Sequence, residues 1–255
     1  MKKITITDAT LRECARRGDI ALSFKEKIEI AKLLDKLNID VIEAAPVTDE
    51  KIDTLVLRTI SPLLKNSILS CPAGCTVEEA DRAMKAISGT AKPRLLVSLP
   101  VSAVQMEYFY HKKPAQMLET IATLTSHCAS ICSDVEFSAV DATRADKAYL
   151  FEAVKVAIDN GAKTVTICDT AGALLPDEFA ALISEIYEAV PAAKKRRKRR
   201  TYSMIEKMSF LIEDSFCFRF IERIWNILAV LWTDSIAGGI WAKICRGWAN
   251  AFENS

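Results

Sequence analysis

Short runs of β-branched and apolar residues alternate with segments of helical period from Ile4 to about Pro191. This alternation is typical of consecutive βα units and predicts a parallel sheet covered by helices. The predicted strands are residues 4–7, 41–44, 67–70, 94–99, 134–138 and 164–168. The predicted helices are residues 23–37, 49–64, 77–87, 114–130, 147–160 and 176–190. Ser23 before Glu26 and Thr76 before Glu79 have the capping-box spacing, which predicts helix starts at these positions. Six such units are compatible with a doubly wound sheet or with a (β/α)8 barrel.

Glycine-rich nucleotide-binding motifs are absent from the sequence, since no GxGxxG follows the first predicted strand and no GxxxxGK[ST] occurs anywhere. A nucleotide-binding sheet is therefore the weaker of the two alternatives. In both architectures the side chains that do chemistry lie at the carboxyl ends of the strands. We therefore expect the candidate site residues at those positions.

Eight cysteines are scattered through apolar segments and form no compact disulfide framework, which indicates reduced and mostly buried thiols. The CxxxC pairs Cys71/Cys75 and Cys128/Cys132 have no partner pair at zinc-site spacing, so no structural metal site is expected there. The N-terminal segment has no apolar stretch of the length that a secretory signal requires. We therefore expect a cytoplasmic protein.

A guanidinium and two carboxylates follow the first predicted strand, in the segment DATLRE at residues 8–13. Carboxylate oxygens are hard ligands for Mg²⁺ or Mn²⁺, and an adjacent arginine can hold a substrate oxyanion that the metal has polarised. The alternative is a surface turn with a salt bridge.

The segment DATLRE, followed by SFKEKIEIAKLLDKLNIDVIEAAP, resembles the opening of the isopropylmalate synthase and homocitrate synthase family of pyruvate carboxyltransferase-like, metal-dependent TIM barrels. Residues 135–146, VEFSAVDATRAD, and residues 164–179, TVTICDTAGALLPDEF, resemble the fifth and sixth strand ends of that family. The resemblance implies an α/β fold, a (β/α)8 TIM barrel that is incomplete here. Residues 1–191 would form a partial synthase domain of about six βα units.

The resemblance also implies an activity. Enzymes of the 2-isopropylmalate synthase class are acyltransferases of leucine biosynthesis that join acetyl-CoA to a 2-oxo acid by Claisen condensation, with a divalent cation such as Mg²⁺, Mn²⁺ or Zn²⁺. A homodimer is implied as well. A homocitrate or citramalate synthase-like protein, or a catalytically inactive barrel fragment, is the alternative. We expect the activity of this chain to be impaired.

Five residues match functional positions of the family. Arg12 matches the catalytic arginine that stabilises the developing oxyanion, and Glu13 matches the metal-binding carboxylate in the form found in homocitrate synthases. Glu43 matches a catalytic carboxylate of the site floor, with a buried structural carboxylate as the alternative. Thr170, in the D-T-x-G turn, and Asp141 match substrate-binding positions. For Thr170 the alternative is a turn or helix-capping hydroxyl.

The sequence departs from the family pattern at several of these strand ends. Residues 14–16 read CAR where the family has G-E-Q, and Val140 stands where the family has a glutamate. The H-x-H strand end, which supplies two imidazole ligands in the family, is missing, and His111 and His127 are the only histidines. Because Glu13 is the one recognisable ligand that remains, we do not expect tight metal binding.

Residues 192–255 differ in composition from the preceding part of the chain. Residues 194–255 carry 12 basic and 6 acidic side chains, against 22 and 27 in residues 1–193, and they hold all four tryptophans. We interpret this divergent tail as an out-of-frame reading of a longer gene, and from residue 194 onward we expect helix or irregular structure. Neither nucleic-acid binding nor membrane association is expected of this tail. Its apolar runs are shorter than the roughly 20 residues of a membrane span.

Overall fold

The structure is a computed structural model that describes residues 5–16, 22–195 and 197–202. The strands are β1 (Thr7–Asp8), β2 (Val41–Glu43), β3 (Ile68–Pro72), β4 (Pro93–Pro100), β5 (Val135–Val140), β6 (Thr164–Asp169) and β7 (Arg197–Tyr202). The α-helices are α1 (Thr10–Arg16), α2 (Phe24–Lys36), α3 (Ile52–Ile60), α4 (Val77–Ile87), α5 (Ala103–Tyr108), α6 (Pro114–Ile131), α7 (Lys147–Asp159) and α8 (Pro176–Ala189).

The order of the strands decides between the two predicted architectures. Each strand is hydrogen-bonded to its neighbours in sequence, and every pairing from β1 to β7 is parallel. A doubly wound sheet would reverse its strand order at a switch point, which this sheet does not do. The sheet is therefore a curled half-barrel. Within the described residues β1 and β7 each have a single neighbour, so the prediction of an incomplete barrel is confirmed.

The helices agree with the sequence pattern, and two of them begin at the predicted capping boxes. Ser23 accepts a hydrogen bond from the backbone of Glu26, and Thr76 accepts one from the backbone of Glu79. Helices α1 and α5 were not predicted, because seven and six residues are too few to show a helical period. None of the described helices combines the length and the apolar character that crossing a membrane requires.

The two faces of the sheet differ in polarity. Successive residues of a strand point to opposite faces. On β4 and β5 the apolar side chains of Leu95, Val97 and Phe137 belong to the hydrophobic core that the helices cover. The alternating positions carry Arg94 and Glu136, which are also buried. The sequence therefore builds an apolar layer between sheet and helices and a polar layer on the opposite side of the sheet.

The seventh strand corrects one expectation. We expected helix or irregular structure from residue 194, whereas Arg197–Tyr202 pairs in parallel with β6 along six residues, from Thr164 opposite Arg197 to Asp169 opposite Tyr202. The expectation rested on side-chain composition, but strand pairing uses backbone groups that every non-proline residue supplies, and the edge of β6 offers them a partner. The rest of the tail, residues 203–255, lies outside the described residues.

A buried carboxylate fastens the amino end of the sheet. Asp35, near the end of α2, accepts hydrogen bonds from the backbone N–H groups of Lys65, Asn66 and Ser67 at 3.1, 2.8 and 2.8 Å. Burial raises the pKa of Asp35. The hydrogen bonds favour the ionised carboxylate and lower its pKa by more than burial raises it, so the pKa lies below its usual value. The carboxylate therefore ties α2 to the segment that enters β3.

Candidate active site

The candidate site residues lie at the carboxyl edge of the sheet. Glu43, Val140 and Asp169 are the last residues of β2, β5 and β6, and Arg12 lies in α1, which follows β1 after one residue. Because all pairings are parallel, these strand ends share one edge. This edge would be the mouth of the closed barrel, where (β/α)8 enzymes carry their active sites.

Asp8 sets the start of α1 and thereby the position of Arg12. Its carboxylate accepts hydrogen bonds from the backbone N–H of Thr10 at 2.9 Å and from the hydroxyl of Thr10 at 3.1 Å. Burial raises the pKa of Asp8, and this outweighs the opposite effect of the two Thr10 bonds. A partly desolvated carboxyl group thus lies at the start of the helix that carries Arg12.

Arg12 lies between two carboxylates at the mouth. Its Nη1 is 2.6 Å from Oε2 of the fully buried Glu43, and its Nε donates to Oε1 of Glu13 at 2.9 Å. The Arg12 side chain is 24% exposed and the Glu13 side chain 45% exposed. The contact between Arg12 and Glu43 is therefore fixed inside the protein. The side of the guanidinium that faces Glu13 is accessible to solvent and to a ligand.

Among the described residues, the mouth does not supply the metal-ligand set that the family resemblance implies. His127 lies in the outer helix layer, where its Nε2 is 2.7 Å from Oδ1 of Asp81, and His111 follows α5 at a positive φ of 50°. Neither imidazole belongs to a strand end. Within residues 5–16 and 22–195 no three His, Cys, Asp or Glu side chains form a group that could hold a metal ion. The role of Glu13 as a metal ligand stays a prediction from the family resemblance.

A second cluster is built on the loops that follow β4, β5 and β6, around Asp141. The Asp141 carboxylate is buried and accepts a hydrogen bond from the hydroxyl of Ser102 at 2.5 Å. It also accepts two from Arg144, with Nε–Oδ1 at 2.8 Å and Nη2–Oδ2 at 2.7 Å. The backbone N–H of Asp141 donates to Oγ1 of Thr170 at 2.9 Å. The predicted residues Asp141 and Thr170 are therefore in direct contact.

Asp169 holds the turn that presents Thr170. Its carboxylate accepts hydrogen bonds from the hydroxyl of Thr143 at 2.7 Å and from the backbone N–H groups of Ala173 at 2.9 Å and Leu174 at 3.3 Å. Asp169 is buried, whereas Thr170 is exposed. The Asp169 carboxylate thus holds the turn, and Thr170 is an exposed residue of it.

Ser102 and Arg144 are site residues that the sequence reasoning missed. Arg144 follows Asp141 by three residues in the segment DATR, and this spacing could have indicated the ion pair. Ser102 caps α5 by accepting a hydrogen bond from the backbone of Gln105, a role that a serine before a helix suggests. Its contact with Asp141 spans 39 residues of sequence and has no local signal.

A separate buried network lies deeper in the sheet. Arg94 donates to Asp134 from Nε at 3.1 Å and from Nη2 at 3.0 Å, and its Nη1 donates to Glu136 at 3.0 Å. The hydroxyl of Thr166 donates to the other oxygen of Glu136 at 2.6 Å. The side chains of Arg94 and Glu136 are 3% and 0% exposed and that of Asp134 is 14% exposed, so this network joins β4, β5 and β6 with little contact to solvent.

Comparison with known proteins supports the family predicted from the strand ends. The HMGL-like family matches residues 3–197. The 2-isopropylmalate synthase of Aquifex aeolicus is 33% identical over 194 residues, which is 76% of this chain and 37% of that protein. The 2-isopropylmalate synthase of Listeria innocua is 37% identical over 186 residues, which is 73% of this chain and 36% of that protein. The chain thus spans little more than a third of the length of these relatives.

Solved structures show the same fold at low sequence identity. Hydroxymethylglutaryl-CoA lyase from Pseudomonas aeruginosa superposes with a TM-score of 0.65 at 15% identity, covering 78% of this chain and 67% of that one. HMG-CoA lyase from Brucella melitensis gives a TM-score of 0.59 at 14% identity, covering 79% and 72%. The family match over residues 3–197 establishes that the chain belongs to the HMGL-like family, as its resemblance to the isopropylmalate and homocitrate synthase family predicted.

Proposed function

We propose that the half-barrel carries a 2-isopropylmalate synthase-like site that binds a 2-oxo acid, and that condensation with acetyl-CoA is impaired in this chain. The observation that carries the proposal is the Arg12–Glu43 ion pair at 2.6 Å, which fixes a solvent-accessible guanidinium at the mouth. A guanidinium held in this way is suited to a carboxylate or to a developing oxyanion. Similarity to proteins named 2-isopropylmalate synthase supports a 2-oxo acid as the ligand.

In the proposed site each matched residue has one task. Arg12 binds an oxygen of the 2-oxo acid, and Glu43 holds Arg12 in place from its buried position. Thr170, an exposed residue of the loop that follows β6, offers its hydroxyl to the ligand, and the backbone N–H of Asp141 donates to this hydroxyl. Glu13 is the carboxylate that would bind Mg²⁺, Mn²⁺ or Zn²⁺.

Impaired condensation follows from the ligand set and from β5. A cation that polarises the keto group contributes several kcal/mol to transition-state stabilisation in enzymes of this kind. The two imidazoles that would complete its ligand set with Glu13 are missing from the sequence, and His127 is paired with Asp81 in the outer layer. At the end of β5, Val140 offers no group that could carry a proton.

Two measurements on the purified chain test the proposal. Calorimetric titration with pyruvate, 2-oxoisovalerate and 2-oxoglutarate should show binding of at least one acid, and Arg12→Ala should weaken it about tenfold or more because a charged hydrogen bond is lost. A thiol-release assay with acetyl-CoA and the same acids should show no turnover, even with millimolar Mg²⁺ or Mn²⁺.

Arg82→Ala is the matched control, because Arg82 is an exposed arginine of α4 outside the site and its loss should leave binding unchanged. Absence of binding for all three acids would refute the proposed site. Turnover above the no-enzyme control that disappears in Arg12→Ala would show that condensation is intact and that other ligands complete the site.

A further inference from the structure

The hydroxyl of Thr170 is oriented by a backbone group. A threonine hydroxyl has one proton to donate and two lone pairs that accept. One lone pair of Thr170 accepts the N–H of Asp141 at 2.9 Å, and no residue in the described part of the chain accepts the Thr170 proton. Because the Thr170 oxygen accepts the Asp141 N–H, its own O–H is directed away from that N–H, and the exposed position of Thr170 allows the O–H to donate to a ligand.

Asp141 can make this contact because its backbone is left-handed. Its φ of 60° and ψ of 37° lie in a region that costs most L-residues about 1–2 kcal/mol. The conformation is held by the carboxylate of the same residue, which is buried and bonded to Ser102 from one neighbouring loop and to Arg144 from its own. These bonds tie together the loops that follow β4 and β5 and aim the Asp141 N–H at the loop that follows β6.

We propose that Asp141 is a positioning residue that orients the Thr170 hydroxyl as a hydrogen-bond donor to the carboxylate or keto oxygen of a 2-oxo acid. The inference rests on the proposed function and deepens it. We expect no direct contact between Asp141 and the ligand, because the Asp141 carboxylate is fully buried and is hydrogen-bonded to Ser102 and Arg144. Its effect on binding is transmitted through Thr170 alone.

The first test uses the chain without any ligand. NMR coupling constants of the Thr170 side chain report whether it holds one rotamer, and hydrogen exchange reports protection of the Asp141 amide. Asp141→Ala should release Thr170 to several rotamers, because alanine disfavours the left-handed region, and Asp141→Asn should keep one rotamer, because asparagine tolerates that region. A Thr170 side chain that stays fixed in Asp141→Ala overturns the positioning role.

The second test is a double-mutant cycle on 2-oxo acid binding. Thr170→Val and Asp141→Ala should each weaken binding of the acid about tenfold, and the double variant should be no weaker than either single variant, because one contact is lost in all three. Thr170→Ser should restore binding to within about threefold. Additive losses would mean that Asp141 acts on the ligand independently, and the inference would be wrong.

Asp35→Asn serves as the control for a merely structural effect, since Asp35 also holds a loop through buried hydrogen bonds but at the amino end of the sheet. It should lower stability and leave binding unchanged. If the unmodified chain binds none of the three acids, the proposed function is wrong and so is the donor role of Thr170. The unliganded NMR test then still decides whether Asp141 orients Thr170.

Discussion

Two arginines in different regions of this molecule each lie between two carboxylates. Arg94, in the middle of the sheet, is 3% exposed and joins Asp134 to Glu136, while Arg12, at the mouth, is 24% exposed and joins Glu13 to Glu43. Glu136 also accepts a hydrogen bond from the hydroxyl of Thr166, so each oxygen of this buried carboxylate has a donor inside the sheet. The outer group keeps one half-exposed member, Glu13.

The two groups differ in whether water or a ligand can replace a carboxylate beside the arginine. A buried charged network is costly to open, because an ion that loses its partner cannot turn to water. At the mouth, by contrast, water or a ligand oxygen can replace Glu13 beside Arg12 at little cost, since exposed ion pairs contribute only about 0–1 kcal/mol. The same arrangement of charges therefore serves structure in one place and ligand binding in the other.

The largest effect should come from breaking the inner group. Arg94→Met leaves two carboxylates inside the sheet without their cation, and we expect the free energy of unfolding to fall by about 3–5 kcal/mol. Urea denaturation followed by circular dichroism measures it. If the variant does not fold, Arg94→Lys, which keeps the charge, should fold with a smaller loss. A loss for Arg94→Met below about 1 kcal/mol would show that the two carboxylates do not depend on Arg94 as their buried cation.

A smaller loss is expected at the mouth. Arg12→Met should lower the free energy of unfolding by about 2–3 kcal/mol, because only one fully buried carboxylate, Glu43, loses its cation there, while the exposed Glu13 can turn to water. The same urea series gives the value. The comparison would fail if Arg12→Met and Arg94→Met destabilised the chain equally.

Two aspartates should differ in the sign of their pH dependence. The folded pKa of Asp35 is lowered, so its contribution is present above the unfolded pKa and is lost as pH falls through the folded value. The folded pKa of Asp8 is raised, mainly by burial, so its contribution is present below the unfolded pKa and is lost as pH rises through the folded value.

Asp35→Asn should therefore cost about 1 kcal/mol at pH 7 and less in acid, whereas Asp8→Asn should cost less at pH 7 than in acid. Urea midpoints between pH 3 and pH 7 test both, and parallel curves for the two variants would contradict the assignment.

The smallest effect should come from the contact between His127 and Asp81 in the outer helix layer. His127→Gln removes a contact to Asp81, whose side chain is 57% exposed, and should change the free energy of unfolding by less than about 0.5 kcal/mol. Thermal denaturation with and without Mn²⁺ should show the same shift for the variant and the parent chain. A stabilisation by Mn²⁺ that depends on His127 would reveal a metal site in this layer.

The sequence alone determined the βα alternation, the helix starts at Ser23 and Thr76, and the edge of the sheet at which the site lies. These features depend on neighbouring residues: strands and helices follow from short periodic patterns, and capping boxes join residues three apart. The edge follows from topology, because parallel strands end on the same side. The family resemblance added the identity of Arg12, Glu13, Glu43, Asp141 and Thr170 as the candidate residues.

The tertiary structure decided which partner each of these residues has. Glu43 meets Arg12, and Asp141 meets Ser102 and Thr170, across distances of 29 residues or more along the chain, and such contacts are set by strand register and loop path. It also decided that residues 197–202 extend the sheet, because backbone hydrogen bonding along an open edge does not depend on side-chain type. Local composition describes what a segment prefers, but the partner that a buried charge or a strand edge finds is fixed only when the whole sheet has formed.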